Sequence, residues 1–188
     1  GCWDYLSQIP GMTVLSPASF AELRQMLRRA VLEMDGPVAV RYPRGGEDGY
    51  EGDCGAESVT VLRQGTDAAI VTYGILTQQA LRAAELLAGE GVSARVVKLN
   101  RVAPLDSDGI CRALDGVKRI VAAEDQLRAG AVGERLSALL LEQGAGTEKL
   151  VLRSVGTTLP SQGSTVELRH ALGLDAEGIA QAVREVLA

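Results

Sequence analysis

The sequence has few of the side chains that most often carry catalysis. His170 is the single histidine in 188 residues, and no serine, cysteine or acid lies at a spacing that suggests a partner for it. We therefore expect a surface or structural role for His170, although histidine in general suits acid–base chemistry. Cys2, Cys54 and Cys111 are too few and too widely spaced for a disulfide framework or a zinc site. We expect Cys111 to be a core residue.

Long apolar runs and an excess of positive charge are also missing. No apolar run approaches the roughly 20 residues that a membrane span needs. The net charge of −5 argues against an electrostatic nucleic-acid binder. The first residues show no basic region followed by an apolar core, so no signal peptide is predicted. We expect a cytoplasmic protein with neither a membrane nor a nucleic acid as partner.

Phosphate-binding glycine motifs are absent, because no P-loop or Gly-x-Gly-x-x-Gly pattern follows a predicted strand. The nearest glycine signal is residues 130–133, at a predicted helix start. Backbone amides there could cradle an anion, and close packing of strand and helix would need glycine equally. Glu124 and Asp125 precede this segment, and paired carboxylates can share a proton. We favour a helix-capping or subunit-contact role for them.

The first third of the chain predicts a strand, a helix and a second strand. Residues 12–15 and 38–42 are the apolar strands. Ser19 and Glu22 form a capping box at the start of the helix. Gly36 is placed to end that helix. Its predicted inward face has three-and-four spacing and comprises Leu23, Met26, Leu27, Ala30, Val31 and Met34. This βαβ order implies a parallel pair with a right-handed crossover.

A polar, glycine-rich segment at residues 47–58 reads as a linker, and a second α/β series follows it. Alternating strands and helices predict an α/β fold whose mainly parallel sheet is flanked by helices. A capping box at Ser164 and Glu167 and an N-cap at Asp175 mark the last helices. The predicted strands are 59–62, 68–73, 94–99, 119–123 and 150–155, and the predicted helices are 76–88, 106–114 and 131–143.

The most informative segment is residues 35–46, which read DGPVAVRYPRGG. A short apolar strand ends here in Arg44, held between Pro43 and two glycines. The guanidinium offers a planar fork of donors for phosphate or carboxylate, and the glycines let the chain approach a ligand closely. Carboxyl ends of strands in open α/β sheets are where ligands usually bind. On this local pattern alone, a solvated arginine at a strand exit is equally consistent.

Five blocks in order resemble the deoxyxylulose-phosphate synthases of the transketolase superfamily. They are DGPVAVRYPRGG, TYGILTQQAL, ARVVKLNRVAPLD, IVAAEDQLRAGAVGE and LPSQGSTVELRHALGLDAEGI. The resemblance implies the end of a pyrimidine-binding domain over residues 1–46, a linker over 47–58 and a transketolase-type C-terminal domain over 59–188. It also implies that the chain begins inside the first of these domains.

The resemblance further implies a homodimeric transferase that condenses pyruvate with glyceraldehyde 3-phosphate to 1-deoxy-D-xylulose 5-phosphate, an isoprenoid precursor, using thiamine diphosphate and Mg²⁺. By this resemblance Arg44 grips the phosphate of the acceptor. Arg41 is the weaker candidate, because strand alternation directs it to the opposite face.

The family's cofactor motifs do not occur in the sequence: there is neither a Gly-Asp-Gly…Asn pattern nor an Asp-Gly-x-Thr-His segment. The resemblance places the glutamate that activates the cofactor upstream as well. We therefore assign no catalytic, cofactor-binding or metal-binding residue to this chain and expect it to be inactive alone.

Two alternatives stay open. The chain could be the C-terminal piece of a transketolase or of a 2-oxoacid dehydrogenase β subunit. It could also be a stand-alone, non-catalytic dimerisation or regulatory module. Residues 156–163 are shorter than the corresponding loop of the synthases.

Overall fold

The computed structural model of the protein describes residues 5–43, 45–46, 48–158 and 162–188. The strands are β1 (Thr13–Leu15), β2 (Val38–Val40), β3 (Val59–Arg63), β4 (Ala68–Thr72), β5 (Ala94–Leu99), β6 (Arg101–Ala103), β7 (Arg119–Ala123) and β8 (Lys149–Arg153). The helices are α1 (Phe20–Leu32), α2 (Thr77–Gly89), α3 (Ser107–Ala113), α4 (Val132–Glu142), α5 (Thr165–Ala171) and α6 (Ala176–Leu187).

The strands form two sheets. The smaller sheet has the order β2-β1-β6, with β1 parallel to β2 and antiparallel to β6. The larger has the order β3-β5-β4-β7-β8, in which only the pairing of β3 with β5 is antiparallel. This confirms the predicted βαβ unit and the mainly parallel α/β fold.

Strand β6 was not predicted. It follows β5 after Asn100 alone, yet it pairs with β1 of the smaller sheet instead of continuing in the larger one. Three residues are too few for a periodic pattern to stand out in the sequence. The chain therefore passes directly from the larger sheet at β5 to the smaller sheet at β6.

Both faces of the larger sheet are covered, and β4 at its centre is buried along its whole length. Helices α3 and α4 cover one face, with Ile110 and Leu136 fully buried. Helices α2 and α6 cover the other face, where the small side chains of Ala80, Ala84 and Ala180 let the helices pack closely. Burial on both faces explains why the parallel strands read as short continuous apolar runs.

The start of α1 follows the predicted capping box only in part. The Ser19 hydroxyl oxygen accepts from the backbone N–H of Glu22 at 3.1 Å, as predicted. The Glu22 carboxylate accepts instead from the backbone N–H of Ala18 at 2.8 Å. Met26 of α1 is buried and packs against the smaller sheet. The predicted inward face is wrong for Leu27 and Val31, which are 45% and 79% exposed.

The two predicted caps near the C-terminus are confirmed. Ser164 and Glu167 form a reciprocal capping box at the start of α5. The Asp175 carboxylate accepts from the backbone N–H of Gly178 at 2.8 Å and caps α6. Within the part of the chain that the structure describes, no helix combines the length and the apolarity that crossing a membrane requires.

Candidate functional site

The candidate site lies where the carboxyl ends of strands from both sheets meet. Arg41 follows β2, Tyr73 follows β4, and Glu124 and Asp125 follow β7. The backbone N–H of Arg41 donates to the carbonyl of Leu15 at 2.8 Å, which continues the pairing of β2 with β1 by one residue. The site therefore joins the smaller sheet to the larger one.

Arg41 is engaged by the larger sheet. Its Nη2 donates to Asp125 Oδ1 at 2.9 Å, and its guanidinium carbon lies 5.7 Å from the centre of the Tyr73 ring. A cation over an aromatic face is attracted by the ring quadrupole. A Cβ at Gly74 would lie 3.0 Å from Ser16 Oγ, which is a tight contact, and 3.6 Å from Arg41 Nη1, which is an ordinary van der Waals distance.

Glu124 caps helix α4. Its carboxylate accepts from the backbone N–H groups of Val132 at 3.0 Å and Gly133 at 2.9 Å, and from the Tyr73 hydroxyl at 2.8 Å. Burial raises the pKa of Glu124, although these three hydrogen bonds act in the opposite direction. The preferred helix-capping role is confirmed for this residue.

The glycine signal at residues 130–133 serves packing. A Cβ at Gly133 would lie 2.8 Å from Glu124 Oε1 and 2.8 Å from Leu152 Cδ2. The amides of Val132 and Gly133 already donate to a carboxylate of the same chain, so an external anion would have to displace Glu124. Close packing of strand and helix is therefore the role that the structure supports.

Two open clefts flank the segment that begins at Tyr42. One, of about 440 Å³, lies towards the start of α1 and is lined by Pro17, Ala18, Ser19, Phe20, Leu23, Tyr42, Pro43, Gly45 and Gly46. The other, of about 530 Å³, lies towards α5, and Pro43, Gly45, Gly46, Asp48, Asp125 and Arg169 are among its lining residues. Arg44, the predicted phosphate ligand, lies outside the described residues, and its chain neighbours Pro43 and Gly45 line both clefts.

The far end of this segment is held at Asp48. Its Oδ2 accepts from Gln79 Nε2 at 2.7 Å and from Arg169 Nη1 at 3.2 Å. Asp48 has φ of 52°, and among the described residues it is the one non-glycine residue with positive φ. Such a conformation costs free energy and persists where the surroundings enforce it.

A buried ion pair at the start of α1 is a charged feature that the sequence did not predict. Lys98 Nζ lies 2.8 Å from Glu22 Oε2, and both side chains are 0% exposed. Lys98 also donates to Asn100 Oδ1, and the Tyr50 hydroxyl donates to Glu22 Oε1 at 3.3 Å. In the sequence, the sign of this buried pair is a lysine, Lys98, within the apolar run of β5. Each charge is compensated, and the cluster is closed to solvent, so its role is structural.

The remaining reactive side chains do not form a further centre. Burial raises the pKa of Cys54 to about 11, so its thiol stays protonated near neutral pH. Cys111 is partly buried against the core, as predicted. His170 has a side chain 79% exposed, with Nδ1 2.6 Å from Asp175 Oδ2 at the surface. The described residues contain no group of three or more His, Cys, Asp or Glu side chains that could hold a metal ion.

Comparison with protein families gives two consecutive matches. The transketolase pyrimidine-binding domain matches residues 3–46, and the transketolase C-terminal domain matches residues 57–179. The chain belongs to the transketolase family. The second match alone covers more than half of the chain, and the order of the two agrees with the order of the two sheets.

Individual relatives agree with this family. The chain is 36% identical to 1-deoxy-D-xylulose-5-phosphate synthase 1 of Geobacter sulfurreducens, over 98% of this chain and 30% of that protein. It is 37% identical to the 1-deoxy-D-xylulose-5-phosphate synthase of Heliobacterium modesticaldum, over 97% and 29%. The chain therefore spans about 30% of the length of these curated relatives.

Among solved structures, the fold is similar to a split-gene transketolase described as an inactive β4 tetramer. The TM-score is 0.83 at 30% sequence identity, and the similarity covers 98% of this chain and 60% of that one. This agreement extends the family assignment from the sequence to the arrangement of both sheets.

Proposed function

We propose that this chain is the C-terminal portion of a thiamine-diphosphate-dependent synthase that condenses pyruvate with glyceraldehyde 3-phosphate. The product would be 1-deoxy-D-xylulose 5-phosphate. One observation carries the proposal: the similarity to enzymes named for this product reaches 36% identity and extends over 98% of the chain. The similarity thus includes the segment around Arg44 and also the larger unit, by which we mean the larger sheet with helices α2 to α6.

Within this function, Arg44 would bind the phosphate of the acceptor. The fork of a guanidinium can donate two parallel hydrogen bonds to phosphate oxygens. Its neighbours Pro43 and Gly45 line the two clefts. The other arginine of the motif, Arg41, already donates to Asp125 and contacts the Tyr73 ring. Arg44 is therefore the arginine of this motif that we assign to the substrate.

The residues of this chain do not fit a thiamine diphosphate site. The sequence has no Gly-Asp-Gly…Asn pattern, and the described residues form no group of three potential metal ligands. In the complete enzyme, thiamine diphosphate and a divalent metal would be held by residues outside this chain, and the cofactor would supply the carbanion chemistry. The chain itself would contribute the acceptor-binding segment and the framework that carries it.

The test is an Arg44→Ala variant of the complete enzyme. A charge-assisted hydrogen bond is worth about 1.5–3 kcal/mol, so kcat/KM for glyceraldehyde 3-phosphate should fall about ten- to a hundredfold. The KM for pyruvate should stay nearly unchanged. Arg44→Lys should recover only part of the loss, because a point charge cannot reproduce two parallel bonds.

Equal losses for pyruvate and for the acceptor in Arg44→Ala would contradict the assignment of this residue. The isolated chain provides a second check, made by calorimetry with thiamine diphosphate and Mg²⁺. Micromolar binding, about −8 kcal/mol, would contradict the proposal that the cofactor site lies elsewhere.

A second candidate function is a non-catalytic assembly module that acts by self-association. The observation that favours it is the similarity, over 98% of this chain, to a transketolase structure described as an inactive β4 tetramer. The mass of the native polypeptide distinguishes the two candidates. A native product near 19.7 kDa that forms oligomers in light scattering would favour the module. A product about three times larger with synthase activity would favour the enzyme.

A further inference from the structure

The larger sheet has a topological switch point, the place where open α/β sheets usually bind ligands. Chain order reverses at β4: the chain proceeds from β4 to β5 on one side and later to β7 on the other. In open α/β sheets, ligands bind outside the carboxyl ends of the strands at such a switch point. The residues there are Tyr73 and Gly74 after β4, and Glu124 and Asp125 after β7.

The side chain of Arg41, the residue after β2 of the smaller sheet, lies at this switch point. The Arg41 guanidinium donates to Asp125, lies over the Tyr73 ring and approaches Gly74 where a Cβ would be 3.6 Å away. The switch point thus holds a cation of the protein's own chain. The Arg41 side chain is held there by Asp125 and Tyr73, which follow strands of the larger sheet.

The segment that follows Arg41 is held again at its other end. Asp48 accepts from Gln79 of α2 and from Arg169 of α5, both on the larger unit. Its backbone is left-handed, with φ of 52°, a conformation that aspartate adopts more readily than most residues. The described residues 42, 43, 45 and 46 therefore lie in the chain between two attachments to the larger unit, one at Arg41 and one at Asp48.

We infer that Arg41 and Asp48 are positioning residues, through which the larger unit sets the place of the acceptor-phosphate segment at residues 42–46. The inference rests on the proposed function, because it assigns the segment to the phosphate of the acceptor. Neither residue contacts the substrate in this view. Arg41 acts through Asp125, and Asp48 acts through Gln79 and Arg169.

The first experiment is a kinetic double-mutant cycle in the complete enzyme, with Arg41→Ala, Asp125→Ala and the double variant. Each single variant should lower kcat/KM for glyceraldehyde 3-phosphate about tenfold, because small misplacements of binding groups reduce rates strongly. The double variant should be no worse than either single one. The KM for pyruvate and the residual rate with phosphate-free glyceraldehyde should not change.

Arg153 offers a matched control. Its side chain is 25% exposed, like that of Arg41. Its Nη2 lies 2.7 Å from Glu185 Oε1, and this ion pair connects β8 with α6 and does not involve the segment after Arg41. Arg153→Ala should leave kcat/KM for the acceptor unchanged. Equal losses in Arg153→Ala and Arg41→Ala, or equal losses with phosphorylated and phosphate-free acceptors, would overturn the inference.

A readout without catalysis separates this inference from the proposed function. Backbone hydrogen exchange over residues 41–50 should speed up in Arg41→Ala and in Asp48→Ala, and should stay unchanged in Arg153→Ala. If the wild-type enzyme does not condense pyruvate with the acceptor, the proposed function fails, yet faster exchange still supports the positioning role. Unchanged exchange in Arg41→Ala overturns the positioning role whatever the enzyme's activity.

Discussion

Two ion pairs connect the smaller sheet and its helix with the larger sheet, and they differ in their surroundings. Glu22 of α1 pairs with Lys98 of β5, and both side chains are 0% exposed. Arg41, after β2, pairs with Asp125, after β7, and these side chains are 25% and 29% exposed. Both pairs have short N···O distances, so their geometry alone does not distinguish them.

The two pairs differ in what the loss of one partner should cost. Breaking a buried pair leaves a charge without solvent or partner and costs about 3–5 kcal/mol. Breaking a partly exposed pair costs about 1 kcal/mol or less, because water and salt replace the partner. Removal of one partner of the buried pair should therefore cost the fold more stability than removal of one partner of the other pair. The exposed pair adjoins a cleft of about 530 Å³ through Asp125, and we assign it to positioning.

The strongest test of this difference is Lys98→Met in the chain. Methionine fills a similar volume without charge, and it leaves the Glu22 carboxylate buried without its cation. We expect the free energy of unfolding, measured by urea denaturation, to fall by about 3–5 kcal/mol.

The matched control adds Glu22→Gln to Lys98→Met. Glutamine has no charge. Its one side-chain oxygen can accept from the Ala18 N–H, and its NH2 group can donate to the Tyr50 hydroxyl oxygen. The double variant should regain a large part of the lost stability. If Lys98→Met alone lowers the free energy of unfolding by less than about 1 kcal/mol, the buried pair is no more important for stability than a partly exposed one.

A second test concerns the packing of Gly133 against Glu124, the residue that precedes Asp125. In Gly133→Ala, the new Cβ would lie 2.8 Å from Glu124 Oε1 and from Leu152 Cδ2. We expect a loss of about 1–3 kcal/mol in the free energy of unfolding, because overpacking displaces these neighbours. Gly89→Ala is the control. It meets open space at the end of α2 and should change stability by at most about 1 kcal/mol, in the stabilising direction.

The smallest expected effect concerns a carboxylate whose hydrogen-bond partners are neutral. The Ser58 hydroxyl and the Gly109 N–H donate to Asp106, the N-cap of α3, and lower the pKa of Asp106. A lowered folded-state pKa gives stability above the unfolded value of about 3.9, which is lost as the pH falls through the folded value. Asp106→Ala should therefore cost about 1 kcal/mol at neutral pH and less in acid.

Urea denaturation at neutral pH and at about pH 3 measures this effect, with Asp106→Asn as the comparison. Asparagine caps helices nearly as well as aspartate, so this variant should stay close to the wild type at neutral pH. A pH-independent loss in Asp106→Ala would show that the carboxylate charge contributes nothing here.

Local features of the fold were predictable from the sequence because neighbouring residues decide them. The Ser164–Glu167 box, the Asp175 cap and the strands β5 and β7 have the predicted bounds or contacts. Helix α1 ends at Leu32, before the predicted Gly36. The segment with Arg44 was identified by its motif, and its role stays a prediction, as does the division into residues 1–46, 47–58 and 59–188.

Contacts between residues that are far apart in the chain became known only from the fold. Arg41 and Asp125 are separated by 84 positions, and neither residue signals its partner through periodicity or spacing. The same holds for Lys98 with Glu22 and for Asp48 with Arg169. The strands, the helix caps and the arginine motif of this α/β chain all depend on residues that are close together in the sequence. The packing of the two sheets decided which charges meet, because strand order and crossover place strand ends together without regard to their distance along the chain.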